Sequence, residues 1–600
     1  MGQVGSGRTG GGGRRTVGRK RGNTGAAGGT TESRTWTVVP PAKPVPASGT
    51  YVTPVQAAAF QSFMRTHSES ETARELGISQ IRVRELLVQY ERNLLRDAGL
   101  RPPPLKEMLK GDVSTRFHIS RDLRNGRPAS HTRAVAIAVP ALPASPAGSA
   151  ATEGWRRVEP PSNGVRRFVV TAAQPGATPH AGFMRNLSAY AAHHGAEMVV
   201  AALGPRTGRE PGLTRTPLDF AGRLHLRADA LPPMVSRLPL EGMQHLSAGT
   251  WSAFPHSTAQ MESLPRIRSA APRVQITTGA VTPHADPARR TASRVGALVV
   301  EMLPDGRVFV RAVSAAADGD GSFRDLDERV CNGRVLTGAR VAGLVIGDLH
   351  HPLCDPATVV ATWGDGHTDG GIVGRLNPRI QVLHDVCDMR ARTHHQRRDP
   401  HERFGHHVRG TGDVRAEMRA TAGFLERIRL AEGVTAVVRS NHDDHLLRWL
   451  READYRTDAL NAEFYLDRER ALHARIRSGA GTATFFAETM RSLSEDGLAR
   501  VRFLADGESL LIGGVECGIH GHAGPDGVRG SIPAFERLGI DLILGHFHRP
   551  TVRAGIHVAG ACRLDLGYER GPSSSAIAHV VCHEDGARQH VFLHGDRFAA

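Results

Sequence analysis

Five aliphatic runs in the C-terminal half of this 600-residue chain each stop at once in a cluster of Asp, His or Asn. VAGLVIGDLHH ends in Asp348 and His350. RIQVLHDVCDMR ends in Asp385 and Asp388. VTAVVRSNHDDH ends in Asn441, His442 and Asp443. SLLIGGVECGIHGH ends in His520 and His522, and LILGHFHRP ends in His546 and His548. Each run has the length and composition of a β-strand, and a strand end is a rigid place to mount a functional side chain. Packing alone does not account for five such endings in order, because burying that many Asp and His leaves uncompensated charges and unpaired polar groups. A metal removes the difficulty. Carboxylate, imidazole and one amide oxygen suit divalent ions of the manganese, iron, zinc or magnesium range, and the absence of thiolate here argues against a structural zinc site.

The rest of the chain is organised differently. Six hundred residues exceed one core, so several domains are expected. Residues 1–50 are Gly, Arg, Thr and Pro with few large apolar groups, and read as a disordered basic tail. Residues 51–97 read as three short helices. Ser68 and Glu71 form a capping box, Gly77 makes a turn, Ser79 caps the next helix, and Ala73, Leu76, Ile78, Val83, Leu86 and Leu87 face inward. With Arg82 and Arg84 on the third helix, this segment resembles a helix-turn-helix that meets DNA; a small helical bundle without that role fits the same pattern. Residues 98–163 read as a linker. Residues 164–339 read as an α/β segment, with strands in RRFVVTAAQ and AEMVVAALG around the helical GFMRNLSAYAAHHGA. No phosphate loop or GxGxxG occurs there, and the function of this segment is not legible.

Charge is concentrated at one end. Residues 1–133 hold 22 Lys and Arg against 10 Asp and Glu, a surplus of 12 out of the chain's formal +16. A basic end on a less charged body suits a nucleic-acid partner. Six scattered cysteines without a CxxC pair suit reduced thiols in a cytosol. The opening MGQVGSGRTGGGG lacks the apolar core of a signal peptide, although it fits the loose myristoylation pattern at Gly2. No apolar run reaches the ~18 residues of a membrane span.

The order GDLH (347–350), HDVCD (384–388), SNHD (440–443), HG (520–521) and GHFH (545–548) resembles the calcineurin-like metallophosphoesterase superfamily. The resemblance covers residues ~340–565 and departs from the family pattern at two glycines, replaced by His384 and Ser440. Neither position supplies a ligand in the family, so altered local turns are expected. The resemblance implies an α+β fold for 340–600: a calcineurin-like four-layer β-sandwich flanked by helices. It implies two divalent metal ions, with Mn²⁺ foremost and Mg²⁺, Fe²⁺ or Zn²⁺ as alternatives. Asp348, His350 and His548 would hold one ion and Asn441, His520 and His546 the other, with Asp385 bridging. His520 is preferred to His522 because the family's ligand precedes a glycine. Asp365, in WGDGHTDG, is set aside as the bridge because no strand precedes it. Hydroxide would attack phosphorus in line, with His442 as general acid, oriented by Asp443 or Asp388.

The motifs do not choose among phosphoesters. The basic tail, the helix-turn-helix-like segment and the Arg- and His-rich MRARTHHQRRDPHERFGHHVR favour DNA, with Arg390, Arg392 and Arg549 as backbone contacts. More narrowly, VVTAAQPGATPHAGFMRNLSAYAAHHGAEMVV, LHDVCD with His394 and His395, and HGHAGPDG resemble the pre-early host-DNA-degradation and DNA-transfer proteins of T5-like phages. The expectation is therefore a phage-encoded DNA exo- or endonuclease in the host cytoplasm, without a membrane partner, as a homo-oligomer or with a phage or host protein. A small-molecule or protein phosphoesterase is the alternative, as is a DNA-binding transfer protein with a vestigial centre.

Overall fold

The computed structural model describes residues 53–97 except 67–68, and residues 154–599 except 205–210, 235, 248, 268–269, 284–294, 365–369 and 394–398. The expected tail, the Gly2 and Ser68 positions, Asp365, His394 and His395 lie outside the described residues. The chain divides into two compact units, Met1–Ala141 and Leu142–Ala600.

In the first unit, helices Pro54–Thr66, Glu69–Leu76 and Gln80–Asp97 pack around Phe60, Phe63, Ala73, Val83, Leu86 and Leu87. Phe60 stacks on Tyr90 with ring centroids 4.4 Å apart. Gly77 takes a φ of 64°, a left-handed conformation that ends the second helix. Ser79 Oγ accepts from the Arg82 amide and opens the third. Arg82 is exposed and paired with Glu85 at 2.9 Å, and Arg84 is also exposed.

The second unit is mixed α/β, with parallel and antiparallel strands in the same sheets. Its first part is a four-stranded sheet in which Arg166–Ala173 and Glu197–Ala202 run parallel through helix Ala181–His194. Side-chain alternation splits this sheet between two cores. Val169 packs under the helix, while Phe168 and Val170 face the other side. Buried between helix and sheet is an ionic knot. Arg311 reaches Asp325 at 2.8 Å and Glu301 at 2.7 Å, and Asp325 also accepts from the Tyr190 hydroxyl and from Gln589.

The site-bearing part is layered. Strands Val501–Phe503, Val434–Val437, Ile380–Leu383 and Gly343–Val345 run parallel, and Ala578–Cys582 and Arg588–Phe592 complete a six-stranded sheet. Leu344, Leu383 and Val437 point at the helices, including Val414–Ile428 and Asp444–Glu452. Their neighbours Val345, Val382 and Ala436 point at a second sheet, where Ile543 meets them. On the far side of that sheet, Leu542 and Leu544 pack on helix Ile532–Glu536. The layers thus run helix, sheet, sheet, helix, each strand serving one core per face.

Two boundaries read from the sequence are crossed by sheets. Strand Arg156–Val158, inside the stretch read as linker, pairs with Leu218–Phe220. The second sheet has eleven strands and joins Met261–Leu264 to Thr551–Arg553, so residues before and after 340 share one sheet.

Asp325 is held well below the usual carboxylate range: burial opposes its ionisation, but Arg311 overcomes this. Because its folded pKa is depressed, its contribution to stability is complete above the unfolded value of ~3.9 and is lost as pH falls through the folded value. Asp325→Ala leaves the Arg311 guanidinium short of a buried counter-charge. The expected loss is about 3–5 kcal/mol at pH 7, read as a lower urea midpoint, with a smaller deficit near pH 3.

Candidate metal centre

Each of the five expected segments leaves a strand at its C-terminal end and turns into one pocket. Gly343–Val345 leads to Asp348 and His350, Ile380–Leu383 to Asp385 and Asp388, and Val434–Val437 to Asn441 and His442. Val515–Glu516 leads to His520, and Leu542–Leu544 to His546 and His548. Single backbone bonds continue past the strands: the His350 amide donates to Asp385 O at 2.7 Å, the Leu349 amide to His384 O at 3.0 Å, and the Asp348 amide to Gly560 O at 2.9 Å. His350, Asp385, His546 and His548 all have positive φ, between 45° and 70°. Non-glycine residues adopt that conformation at a cost, and such costs cluster at functional sites. Gly545 is required here for a steric reason: a Cβ would lie 2.4 Å from Asp348 Oδ1.

Ligand atoms of Asp348, His350, Asp385 and His548 all lie within 4.8 Å of one another, and all four residues are buried. Three imidazoles aim Nε2 inward while Nδ1 is held from behind. His350 Nδ1 bonds Asp388 Oδ1 at 3.1 Å, and its Nε2 lies 3.0 Å from His548 Nε2. His548 Nδ1 bonds Glu569 Oε1 at 3.2 Å, and its Nε2 lies 3.2 Å from Asp348 Oδ2. His520 Nδ1 meets His384 Nδ1 at 3.3 Å, and its Nε2 lies 3.2 Å from Asn441 Oδ1 and 3.3 Å from Asp385 Oδ2. A partner on Nδ1 fixes the tautomer and turns the Nε2 lone pair inward.

This donor set fits metal. Two inward imidazole nitrogens 3.0 Å apart match adjacent ligands of one ion at bond lengths of ~2.1 Å. Oδ1 of Asp348 and Oδ1 of Asp385 are buried without a hydrogen-bond partner, and Oδ2 of Asp348 has only the 3.2 Å approach of His548 Nε2; buried carboxylate oxygens are rarely left so. Asn441 sits at the rim beside His520, and the His546 ring packs on that of His520 with centroids 5.2 Å apart. His522 is farther out, its ring 5.5 Å from that of His520, and lacks the contact to Asp385 that His520 makes.

His442 lies with Nδ1 3.2 Å from Asp388 Oδ1. Burial alone would lower its pKa, but the charges of Asp385 and Asp388 hold it up at about 9. Asp388, not Asp443, therefore orients His442. Asp443 turns back to the Ser440 amide at 3.1 Å, and burial with the nearby Asp385 charge pushes its carboxyl up to about 8. The expectation that Arg392 contacts DNA also fails. Its guanidinium is buried on both oxygens of Asp458, a partner 66 residues away with no spacing signal. Arg390 lines the cavity beside His442, and exposed Arg549 lies over Phe547 with its guanidinium carbon 5.9 Å from the ring centroid.

Three participants escaped the sequence reading. His384, expected only to alter a turn, groups with Asp348 and His520 as a further set of potential ligands. Glu569 backs His548 and is itself bonded by Ser573 and Ser575. Tyr568, 39% exposed, stands at the mouth with its ring 6.3 Å from those of His350 and His442.

Over 474 residues the chain is 29% identical to Protein A1 of Escherichia phage T5, an alignment spanning 72% of this chain and 83% of that protein. The chain is thus related to a T5 phage protein. No family model matches the chain, and no solved structure matches it. No helix among the described residues is long and apolar enough to cross a membrane.

Outer-shell carboxylates typically contribute ~10–100-fold to metal affinity. Glu569→Ala is expected to weaken Mn²⁺ binding by that factor in calorimetric titration, with an unchanged far-UV spectrum. Unchanged affinity would remove Glu569 from the centre.

Proposed function

We propose that the chain is a metal-dependent phosphodiesterase that hydrolyses DNA, with the fold and chemistry of the calcineurin-like metallophosphoesterases, and that it serves phage DNA degradation or transfer. The observation carrying this reading is the convergence, from five strand ends, of the Asp348 and Asp385 carboxylates, the inward Nε2 atoms of His350, His520 and His548, and the Asn441 amide oxygen. Asp348, His350 and His548 would hold one divalent ion and Asn441, His520 and His546 a second, with Asp385 between. Such a pair supplies water of lowered pKa and positive charge opposite the phosphate oxygens.

The chain's own residues do the rest. Asp388 holds His350 through Nδ1 and keeps His442 in place by charge. His442, held above the ordinary imidazole value by the charges of Asp385 and Asp388, is placed to give a proton to the leaving oxygen. A cavity of about 430 Å³ opens beside it, lined by Asn441, Arg390, Arg439, Arg448 and Arg451. Arg439 and Arg448 are paired with Asp444 and Glu452 at 2.9 and 3.0 Å. The exposed Arg448–Glu452 pair is weak and readily exchanged for phosphate, whereas Arg439 is half-buried on Asp444. The Tyr568 ring offers a stacking surface to a base. Exposed Arg82 and Arg84 of the three-helix unit supply further contacts to the same polyanion.

The test is incubation of the full chain with Mn²⁺ and labelled linear or circular duplex. Cleavage is expected, and Asp385→Ala is expected to abolish it. His442→Ala should keep metal affinity while losing ~10²–10⁴ in rate. Turnover of small aryl diesters without cleavage of DNA would replace the DNA reading. Salt-sensitive DNA binding without cleavage under any divalent metal would end the enzymatic one.

A further inference from the structure

A second cavity, of about 350 Å³, shares no lining residue with the metal centre. It lies where three sheets meet, bounded by strands Arg273–Thr277 and Ile556–Val558, by Val308–Ser314, and by Arg588–Phe592. Its size falls within the ~300–1,000 Å³ of small-ligand sites.

Two of its buried polar groups have unmet hydrogen-bonding capacity. Arg588, 9% exposed, donates Nη1 to Gly555 O and places Nη2 2.8 Å from Asp541 Oδ1, while Nε has no partner. His583 is 2% exposed and its Nε2 has no partner. Each such group costs ~1–3 kcal/mol if left unsatisfied. A second lining cation, Arg324, is mostly buried and no closer than 3.6 Å to Glu584 or Asp585. Arg237 stands exposed at the rim. Asp541 is the one acidic lining residue against these three arginines, so the lining is net positive. Burial keeps the His583 and His590 rings uncharged at neutral pH, both down to about 4. Among the neutral Ser, Thr and Gln residues that make up much of the remaining wall stand the apolar and aromatic Ile276, Val310, Val552 and Phe592, with the stacked rings of His557 and His590. Arginine forks match the paired oxygens of carboxylate and phosphate groups, and aromatic faces stack on a flat ring.

We propose that this cavity binds a small anion carrying a flat ring, the chemistry of a nucleoside monophosphate, independently of the metal centre. The test is calorimetric titration of the full chain in EDTA with each of the four deoxynucleoside monophosphates, with the matching deoxynucleosides and with inorganic phosphate. At least one monophosphate is expected to saturate a single site, with its nucleoside and phosphate at least tenfold weaker. Ser314→Trp, which fills the cavity, should abolish binding. Arg324→Gln should weaken it about tenfold, as for one lost charge-assisted hydrogen bond. Asp385→Ala should leave it unchanged. The proposal is overturned if no monophosphate binds the wild-type chain, if a folded Ser314→Trp binds as the wild type does, or if Asp385→Ala abolishes binding. Phosphate binding as tightly as the nucleotides would mark an adventitious anion site and overturn it equally. Should Ser314→Trp fail to fold, Arg324→Gln decides in its place.

Discussion

Asp348 and Asp385 are buried with ligand atoms within 4.8 Å of each other, and the organisation of the strand ends follows from that repulsion. Two unit charges at this distance repel by about 3–4 kcal/mol even at an effective dielectric of ~20. Counter-charge must sit in the same small volume. Without metal it comes from protons: burial would discharge His548, but Asp348 and Glu569 hold it up at about 10, and His442 is held at about 9. A divalent ion meets the same need by displacing protons from such donors. A pocket that balances its charge only with imidazolium or with metal is poised for metal exchange in a way that an apolar core is not.

Holding that repulsion requires a stiff frame, and the backbone records it. His350, Asp385, His546 and His548 all lie in the left-handed region, at roughly 1 kcal/mol or more each. They persist because the adjacent amides are tied across the strands and because Gly545 lets the chain pass against Asp348.

Much of this frame was legible because it is written in local pattern. An aliphatic run stopping in Asp or His marks a strand and its end, and four of the five runs fold as one short strand each. The fourth run breaks at Gly513 and Gly514 into Leu511–Ile512 and Val515–Glu516, yet still delivers His520. What was not legible depends on contacts across the fold. His384 reaches His520 across 136 residues, and Arg392 is neutralised by Asp458 across 66. Neither spacing carries a signal, so Arg392 looked like a free cation and His384 like a replaced glycine. Asp443 misled for the opposite reason: its neighbour in sequence, Ser440, captures it before it can reach His442.

The segment before residue 340 offered no motif, but its place in the fold gives it a role. Strand Met261–Leu264 covers the edge of Thr551–Arg553, an edge that would otherwise be open. From that strand the Ser263 amide donates to Pro550 O at 3.1 Å, two residues past His548, and Ser263 Oγ donates to Ser574 O at 2.7 Å. Arg266 and Ser573 exchange two backbone bonds, and the Ser573 hydroxyl donates to Glu569 at 3.1 Å. Glu569 in turn holds Nδ1 of His548. A continuous run of bonds thus leads from residues 263–266 to an inward-facing imidazole of the centre. The upstream segment braces the loop that bears His548 and Glu569, and a chain cut near residue 340 would lose that brace while keeping every side chain expected to bind metal.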